Sequence, residues 1–328
     1  MEKVISGIRP TGNLHLGNYF GAVKSFIKMQ DEYECMFFIA DWHSLTTHPT
    51  PENIRRSVKT ILSEYLACGI DPEKAPIYIQ SDVKPVLELY LYLNMNAYLG
   101  ELERVTSFKE KARTQPDNVN AGLLTYPTLM AADVLAHKAD KVPVGKDQEQ
   151  NMEMMRLFAR RFNRIYNVEY FREPQSFHLS DHAVKVPGLD GSGKMGKSEG
   201  NAIYLCDDEA TIKKKVMKAV TDSGPTQLNQ VKPEPIQNLF TMLELVSAKE
   251  TYDYFNDQYN NMTIRYGDLK KQLAADINAF CAPIRERIAA FQSDDDYLVR
   301  VARQGAERAT ASAEKTLGEV REIIGFRK

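Results

Sequence analysis

The sequence predicts an α/β protein with a doubly wound parallel sheet, followed by a C-terminal helical domain. In the first half, short apolar runs alternate with longer amphipathic stretches, an order that is typical of parallel sheets. One run, Cys35 to Ala40, is apolar without interruption, as in a strand that is buried on both faces. After Tyr204 the pattern becomes almost entirely helical. We therefore expect one domain over residues 1–205 and a second over residues 206–328.

The elements of the first domain follow from local patterns. Apolar runs predict strands at Val4-Ile5, Cys35 to Ala40, Ile77 to Ile79 and Val142 to Val144. Helical spacing predicts helices at Leu16 to Gln30, Pro51 to Cys68, Val86 to Tyr98, Leu129 to His137 and about Gln148 to Phe162. The second of these helices has the clearest limits, because Thr50 is a good N-cap and Gly69 can end the helix in the left-handed conformation.

The second domain is predicted to be helical from Asp208 onward. Breaks are expected at Thr221–Pro225 and Pro233–Pro235. After Pro283, the pattern ends in two charged amphipathic stretches, Asp296 to Arg308 and Ser312 to Ile324. These C-terminal helices either form part of a separate unit or pack back on the first domain.

The net charge does not indicate a nucleic-acid partner. The chain has 42 Lys and Arg against 44 Asp and Glu, a formal charge of −2, so such a partner would need local basic patches. The candidate patches are Lys109, Lys111 and Arg113; Arg160, Arg161 and Arg164; and Lys213, Lys214 and Lys215. For each cluster taken alone, a solvated helix face is the ordinary interpretation.

The cysteines and the N-terminus favour a cytoplasmic protein. Cys35, Cys68, Cys206 and Cys281 form no CxxC pair, so we expect reduced thiols and neither a disulfide nor a metal site. The first ten residues lack the apolar core of a signal peptide, and no stretch has the length of a membrane span. We therefore expect no membrane partner.

The stretch with the clearest chemistry covers residues 6–19, SGIRPTGNLHLGNY, where a strand leads through a turn into a helix. Gly7, Gly12 and Gly17 let a ligand approach the backbone, and the helix N-terminus offers N–H groups to phosphate. His15 and Asn18 add side-chain hydrogen-bond donors. HLGN alone fits a tight loop with incidental glycines, but the whole stretch predicts a phosphate site.

This stretch resembles the signature loop of the class I aminoacyl-tRNA synthetases, in the form SGxxPTGxLHLGNY that the tryptophan subfamily shows. The resemblance implies a Rossmann-like catalytic domain followed by a helical anticodon-binding domain. It implies catalytic roles for His15 and Asn18. It also implies contacts with ATP from Arg9, which stands where a Gln is common, and from Pro10, Thr11, Gly17 and Asn18.

A second stretch, residues 191–198, matches the P-loop pattern GxxxxGK[ST] but lacks its context. A P-loop follows a buried strand and opens a helix, whereas a Val-Pro-Gly segment precedes this match and Glu-Gly follows it. The stretch resembles instead the KMSKS loop of the same synthetases. That resemblance implies a mobile loop that closes over the triphosphate and stabilises charge on the leaving pyrophosphate. It assigns catalysis to Lys194, Lys197 and Ser198, and further ATP contacts to Met195 and Gly196.

A third stretch combines an apolar helix face with one acid. Met130 and Asp133 are three residues apart in YPTLMAAD and therefore share a helix face. With Met130, Val142 and Val144 against the ring and Asp133 accepting its N–H, this pocket fits an indole. His43 follows the second strand, at the edge where such folds bind ligands, although a structural His fits that position equally well.

The third stretch, together with VPVGKDQ, resembles the specificity helix and neighbouring strand end of the tryptophan enzymes. By that resemblance Tyr126 and Gln148 hold the amino and carboxylate groups of the substrate, and Ile5 stands where many members have a stacking aromatic residue. The expected tryptophan-binding residues are Ile5, Gly7, His43, Tyr126, Met130, Asp133, Val142, Val144 and Gln148.

The resemblance covers nearly the whole chain and implies a two-step reaction. ATP, with Mg²⁺ on its phosphates, would activate L-tryptophan to an adenylate, which would then acylate tRNA(Trp). Gly145 and Asp147 are expected near the ribose and Val186 near the adenine, and Lys146 is a further expected ATP contact. The family is homodimeric. Two alternatives remain open. One is a tyrosine-specific relative, which tends to have GGSDQ where this chain has VGKDQ, and the other is a synthetase-like protein that only binds RNA.

Overall fold

The structure, a computed structural model, describes residues 1–145, 148–177, 185–197 and 199–326. Within these residues, five parallel strands form one sheet in the order β3-β2-β1-β4-β5. The strands are β1 (Lys3–Ile8), β2 (Glu34–Ile39), β3 (Ile77–Ile79), β4 (Lys141–Pro143) and β5 (Gln175–Phe177). The longest pairing joins β1 to β2, in register from Lys3 opposite Glu34 to Ile8 opposite Ile39. The expected doubly wound parallel sheet is confirmed.

The helices before residue 200 lie largely where the sequence predicts them. They are α1 (Leu16–Asn18), α2 (Lys24–Glu32), α3 (Asp41–Ser44), α4 (Pro51–Cys68), α5 (Pro85–Met95), α6 (Leu99–Leu102), α7 (Thr106–Thr114), α8 (Ala121–Leu124), α9 (Tyr126–Leu135) and α10 (Glu149–Tyr166). A π-helical turn, Tyr19–Val23, joins α1 to α2. The predicted limits of α4 are confirmed, because the Thr50 side chain accepts a hydrogen bond from the Asn53 N–H and Gly69 has φ +110°.

The chain from Glu209 onward is largely helical, as predicted. Its helices are α11 (Glu209–Met217), α12 (Glu234–Val246), α13 (Lys249–Asn260), α14 (Tyr266–Gln292) and α15 (Asp295–Ile324). The prediction of two separate stretches at the C-terminal end is wrong, because α15 is one continuous helix across residues 296–324. Ala309 and Ala313 are buried on its inner face, so tertiary packing continues where the sequence suggested an interruption.

Other differences are small and have local causes. Strand β5 was not predicted, because it has three partly exposed residues and becomes a strand only by pairing with β4. Helix α9 begins at Tyr126 rather than Leu129, since Pro127 is favourable in a first helical turn. Helix α5 ends at Met95 rather than Tyr98. Within the described residues, no helix is both long and apolar enough to cross a membrane.

The sheet separates two hydrophobic cores. Val4 and Phe37 face the first core, which is completed by α2, α4, α11, α12 and α14. Ile5 and Phe38, one position later on each strand, face the second core, which is completed by α5, α9 and α10. This alternation follows from the two-residue period of a strand. Helices from beyond residue 205 thus share the first core with helices of the predicted first domain.

Helix α15 lies directly on the edge strand β3. Its Val301 belongs to the first core and its Ala309 to the second, so one helix joins both. At the crossing, a Cβ atom added to Gly305 would lie 2.0 Å from the Ile77 carbonyl oxygen. A residue without a side chain is therefore required for this close approach.

Candidate active site

The predicted site residues gather at the carboxyl edge of the sheet. Arg9 follows β1, His43 follows β2, Gln80 follows β3 and Val144 follows β4. Because all strands are parallel, these ends lie along one edge. The chain leaves β1 towards β2 on one side and has β4 on the other, and ligands of open α/β sheets bind at such a switch point.

A buried carboxylate lies at the centre of one half of this edge. Asp133 of α9 is 3% exposed, and its Oδ2 lies 2.8 Å from Nε2 of His43. The Gln80 amide donates to both carboxylate oxygens, at 2.7 and 2.9 Å, while its own Oε1 accepts from the Trp42 N–H at 3.1 Å. The orientation of Gln80 is thereby fixed. A carboxylate has about four acceptor positions, so these three contacts leave room for one further donor.

The apolar residues predicted for the same pocket belong to, or pack against, the second hydrophobic core. Ile5, Val142 and Val144 are buried in the second core, and Met130 packs against that core. The Tyr126 ring lies 4.3 Å from the His43 ring. Among the described residues, Nδ1 of His43 is buried without a hydrogen-bond partner. The arrangement is an apolar slot with one anionic acceptor.

Gly7, near the end of β1, and Gln148, directly before α10, are two further residues predicted for the amino-acid site. A Cβ on Gly7 would lie 2.3 Å from the Phe38 ring, so a glycine is required for the strand to pass that ring. The Gln148 N–H donates to the Gly145 carbonyl oxygen at 2.9 Å, directly before α10 begins. The predicted residues Lys146 and Asp147 lie outside the described residues.

Lys111 and Arg9 both place positive charge near Tyr126. The Lys111 ammonium lies 4.6 Å from the ring centroid. Burial, together with the charge of Arg9, lowers the pKa of Lys111. Two positive groups whose charges act on each other favour an anionic ligand. Arg9, Pro10 and Thr11 also line an open cavity of about 480 Å³ beside the first turn of α4.

The three basic clusters of the sequence do not form continuous basic surfaces. Lys111 is half-buried at the site, whereas Lys109 and Arg113 are exposed. Arg161 is 4% exposed and donates twice to Glu101, at 2.7 Å each, so the solvated-face interpretation is wrong for it. Lys215 donates to Asp207 and to the Ala202 carbonyl oxygen.

His15 caps the helix that begins at Leu16. Its Nδ1 accepts from the Asn18 N–H at 3.3 Å, and Asn18 Oδ1 accepts from the His15 N–H at 3.1 Å. Burial, followed by the charges of Lys197 and Lys194, lowers the pKa of His15 to about 4. The ring is therefore neutral at pH 7. Because Nδ1 is an acceptor, the ring proton is on Nε2, which is left as a donor for a ligand.

The lysine loop lies against the signature loop, residues 6–19. Lys197 Nζ donates to the Gly12 carbonyl oxygen at 2.8 Å, and Lys194 is exposed. Met195 is buried with its Cβ 3.6 Å from the position of a Gly17 Cβ, and its N–H donates to the Val186 carbonyl oxygen at 2.9 Å. Ser198 lies outside the described residues. The charges of Lys194 and Lys197 therefore act on His15, which puts the lysine loop and the signature loop at one site.

The backbone around the lysine loop excludes the P-loop alternative. Residues 185–188 form no strand, and residues 199–203 form no helix. Residues 14–16 instead pair with residues 203–205, through Leu16 N–H to the Ile203 oxygen at 3.0 Å and Leu205 N–H to the Leu14 oxygen at 2.9 Å. In the described ranges, no group of three or more His, Cys, Asp and Glu side chains could hold a metal ion.

Three residues with structural roles in the site were not predicted. Gln80 orients Asp133, and its position directly after a buried strand was an available signal. Lys111 was assigned to a surface cluster. Asn201 is 5% exposed and organises the lysine loop, because it accepts from the Gly196 N–H and donates to the Lys194 oxygen. A single Asn in a loop gives no sequence signal for such a role.

Comparisons with known proteins agree in sequence and in fold. A family model described as "tRNA synthetases class I (W and Y)" matches residues 2–282. A tryptophan–tRNA ligase of Porphyromonas gingivalis strain W83 is 75% identical over 100% of both chains. One of Fusobacterium nucleatum is 40% identical over 99% of this chain and 98% of its own. A crystal structure of tryptophanyl-tRNA synthetase from Campylobacter jejuni with ADP and tryptophan has a TM-score of 0.89 and 33% identity, covering 99% of this chain and 100% of that one.

Proposed function

Because the chain belongs to the class I tRNA synthetases of the tryptophan and tyrosine family, we propose that it is a tryptophan–tRNA ligase. The observation that carries the choice of amino acid is the buried Asp133 carboxylate in an apolar slot. An indole needs an apolar enclosure and one acceptor for its N–H, and Asp133 has one acceptor position left. The identity to ligases that act on tryptophan supports the same choice.

The first step joins tryptophan to ATP. The tryptophan carboxylate attacks the α-phosphorus of MgATP, the bond to the β-phosphate oxygen breaks, and magnesium pyrophosphate leaves. No enzyme nucleophile is required, so the protein acts by positioning and by stabilising charge. Tyr126 and Gln148 hold the substrate amino and carboxylate groups, Gly145 lies near the ribose, and the Val186 backbone lies near the adenine.

The phosphates are met from two sides. The signature loop supplies the Nε2–H of His15 and the Asn18 side chain. The neutral state of the His15 ring supports its role as a donor. From the other side come Lys194 and Lys197. Since Lys197 now donates to the Gly12 oxygen, we infer that it exchanges this carbonyl for a phosphate oxygen when the loop closes. Arg9 and Lys111 supply further positive charge.

In the second step, a hydroxyl of the terminal ribose of tRNA(Trp) attacks the carbonyl carbon of the adenylate, and AMP leaves. Residues 206–328 are proposed to carry the anticodon contacts. Arg300, Arg303 and Lys315 are exposed on α15 and offer charge to phosphate. Since α15 also packs on β3, this helix would serve both the tRNA and the core.

A second copy of the chain is the proposed partner of α5. Leu87, Leu91 and Met95 are 41%, 47% and 77% exposed, and their spacing of four residues puts them on one helix face. An apolar stripe of this kind is typical of an interface between subunits. We therefore propose a homodimer. The four cysteines are free thiols, which supports a reducing compartment such as the cytoplasm.

Amino-acid-dependent pyrophosphate exchange with tryptophan and tyrosine side by side tests the proposal. We expect exchange with tryptophan to exceed that with tyrosine by at least about 10³ in kcat/KM, because a phenol cannot fill an indole slot and reach the acceptor equally well. Equal turnover of tyrosine would favour the tyrosine-specific alternative. Exchange without charging of tRNA(Trp) would contradict the second step.

A further inference from the structure

Glu64 is a buried acid that has no role in the proposed reaction. It lies on α4 with 0% of its surface exposed. Its Oε2 accepts a hydrogen bond from the Leu14 N–H at 2.6 Å, while Oε1 has no partner among the described residues. A buried carboxyl group with an unsatisfied oxygen destabilises a fold, so a function is the natural reason for it.

Three successive residues of the signature loop are held by hydrogen bonds to other parts of the chain, and Glu64 holds the third of them. The Gly12 oxygen accepts from Lys197 Nζ at 2.8 Å, and Asn13 Nδ2 donates to the Cys206 sulfur at 2.6 Å. The third anchor is the Leu14 N–H on Glu64. Since Leu14 directly precedes His15, this hydrogen bond determines where the His15 backbone enters the helix cap.

The same acid interacts with the lysine loop. Burial raises the pKa of Glu64 to about 8, against the opposing effects of the Leu14 N–H and the Lys197 ammonium. Burial lowers the pKa of Lys197, and Glu64 raises it. Among the described residues, Cys68 on α4 and Cys206 after the lysine loop also interact electrostatically with Glu64, and Arg287 of α14 acts on Cys68. Burial raises the pKa of both thiols, which therefore stay neutral at physiological pH.

We propose that Glu64 is a positioning residue of the adenylation site, which anchors the signature loop at Leu14 and controls the resting place of Lys197 at Gly12. The inference rests on the proposed function, because that function gives His15 and Lys197 their phosphate contacts. In its neutral form, Glu64 only anchors the loop. In its charged form, it also attracts the Lys197 ammonium and thereby competes with the triphosphate.

Two substitutions separate these effects. Glu64→Gln keeps an acceptor for the Leu14 N–H but cannot become charged, whereas Glu64→Met has similar volume and removes both properties. We expect Glu64→Met to raise the KM for ATP about tenfold, with the KM for tryptophan unchanged within about twofold. The KM for ATP of Glu64→Gln should stay close to that of the wild type. As pH rises through about 8, the KM for ATP of the wild type increases, and that of Glu64→Gln does not.

Ser63→Ala is the matched control. Ser63 is equally buried on α4, but its Oγ donates to the Thr60 oxygen and accepts from Gln292, neither of which belongs to the signature loop. Its removal should leave the KM for ATP unchanged. If Glu64→Met raised the KM for ATP and for tryptophan together, in parallel with a lower Tm, its role would be structural only and the inference would be wrong.

Two other results would also overturn the inference: equal impairment of Glu64→Gln and Glu64→Met, or the same pH dependence in wild type and Glu64→Gln. If Glu64→Met failed to fold, the pH dependence of the KM for ATP in wild type and Glu64→Gln would still test the inference.

ATP affinity is measured by calorimetry on the same proteins that are assayed for pyrophosphate exchange. A wild-type protein that binds ATP but does not exchange with tryptophan would contradict the proposed function alone, while the effect of Glu64 on ATP affinity would still test this inference.

Discussion

Replacing Asp133 by Asn is expected to lower kcat/KM for tryptophan strongly while keeping the shape of the pocket. Gln80 donates to both oxygens of Asp133, at 2.7 and 2.9 Å. Whichever way the new amide turns, its NH₂ group therefore faces the Gln80 donor. Gln80 cannot turn to relieve this, because its Oε1 accepts from the Trp42 N–H at 3.1 Å. The substrate also meets a neutral acceptor instead of a carboxylate.

The size of the effect follows from these two losses. A hydrogen bond to a charged group contributes about 1.5–3 kcal/mol, and a buried donor left without an acceptor costs about 1–3 kcal/mol. Together they amount to about 4 kcal/mol, or about 10³ in kcat/KM for tryptophan. The KM for ATP should change by less than about twofold, because the phosphate contacts lie on the signature and lysine loops.

Pyrophosphate exchange at varied tryptophan concentration measures this effect. Asp140→Asn is the matched control, because Asp140 accepts from the Lys3 N–H at 2.9 Å before β4 begins, at the opposite edge of the sheet from the site. If Asp133→Asn folded normally and kept kcat/KM for tryptophan within about threefold of the wild type, the assignment of Asp133 as the indole acceptor would be refuted.

Three further predictions concern the lysine loop, the helix crossing and the tRNA surface. Alanine at Lys197 should lower the single-turnover rate of adenylation by about 10²–10³ and leave tryptophan affinity unchanged. Alanine at Gly305 puts a Cβ 2.0 Å from a β3 carbonyl oxygen, so Tm should fall by about 5–10 °C. On the same helix, Gly318→Ala meets no atom within 4 Å and should stabilise by about 0.5–1 kcal/mol. Alanine at Arg300 and Arg303 should weaken aminoacylation, flatten the salt dependence of tRNA binding by about one unit per contact, and spare exchange.

Each of these predictions has an outcome that contradicts it. A change confined to tryptophan affinity would count against the role of Lys197. Equal Tm values for Gly305→Ala and Gly318→Ala would show that α15 does not pack closely against β3 at residue 305. Parallel loss of exchange and aminoacylation would mean that the arginines of α15 act through stability. Alanine at Lys28, an exposed residue of α2, serves as the control for loss of one positive charge.

The sequence predicted the elements whose signal is local. The apolar run after Cys35 gave β2, and the Thr50 cap with Gly69 gave both ends of α4, because strand burial and helix capping depend on neighbouring residues. The doubly wound order followed from the alternation of these elements. Strand β5 was missed, since three partly exposed residues become a strand only through pairing with β4.

In the candidate site, too, residues of short continuous motifs were predicted and long-range contacts were not. The sequence predicted that Asp133 and Lys197 belong to the site, because YPTLMAAD and the lysine motif are short continuous stretches. It did not predict what holds them. The bond from Gln80 to Asp133 joins residues 53 positions apart, and that from Glu64 to Leu14 joins residues 50 apart. Such contacts depend on how strands and helices are stacked, which one sequence does not specify locally.

The crossing of α15 over β3 also affects how the chain folds while it is being made. Arg308 donates to the carbonyl oxygens of Pro72 and Glu73, which lie 236 and 235 residues earlier. At translation rates of about 5–20 residues per second, β3 leaves the ribosome about ten to fifty seconds before the helix that covers its edge. An uncovered edge can recruit strands from other nascent chains. The three-residue length of β3 limits this danger, because so short an edge offers few unpaired groups while the covering helix is still being synthesised.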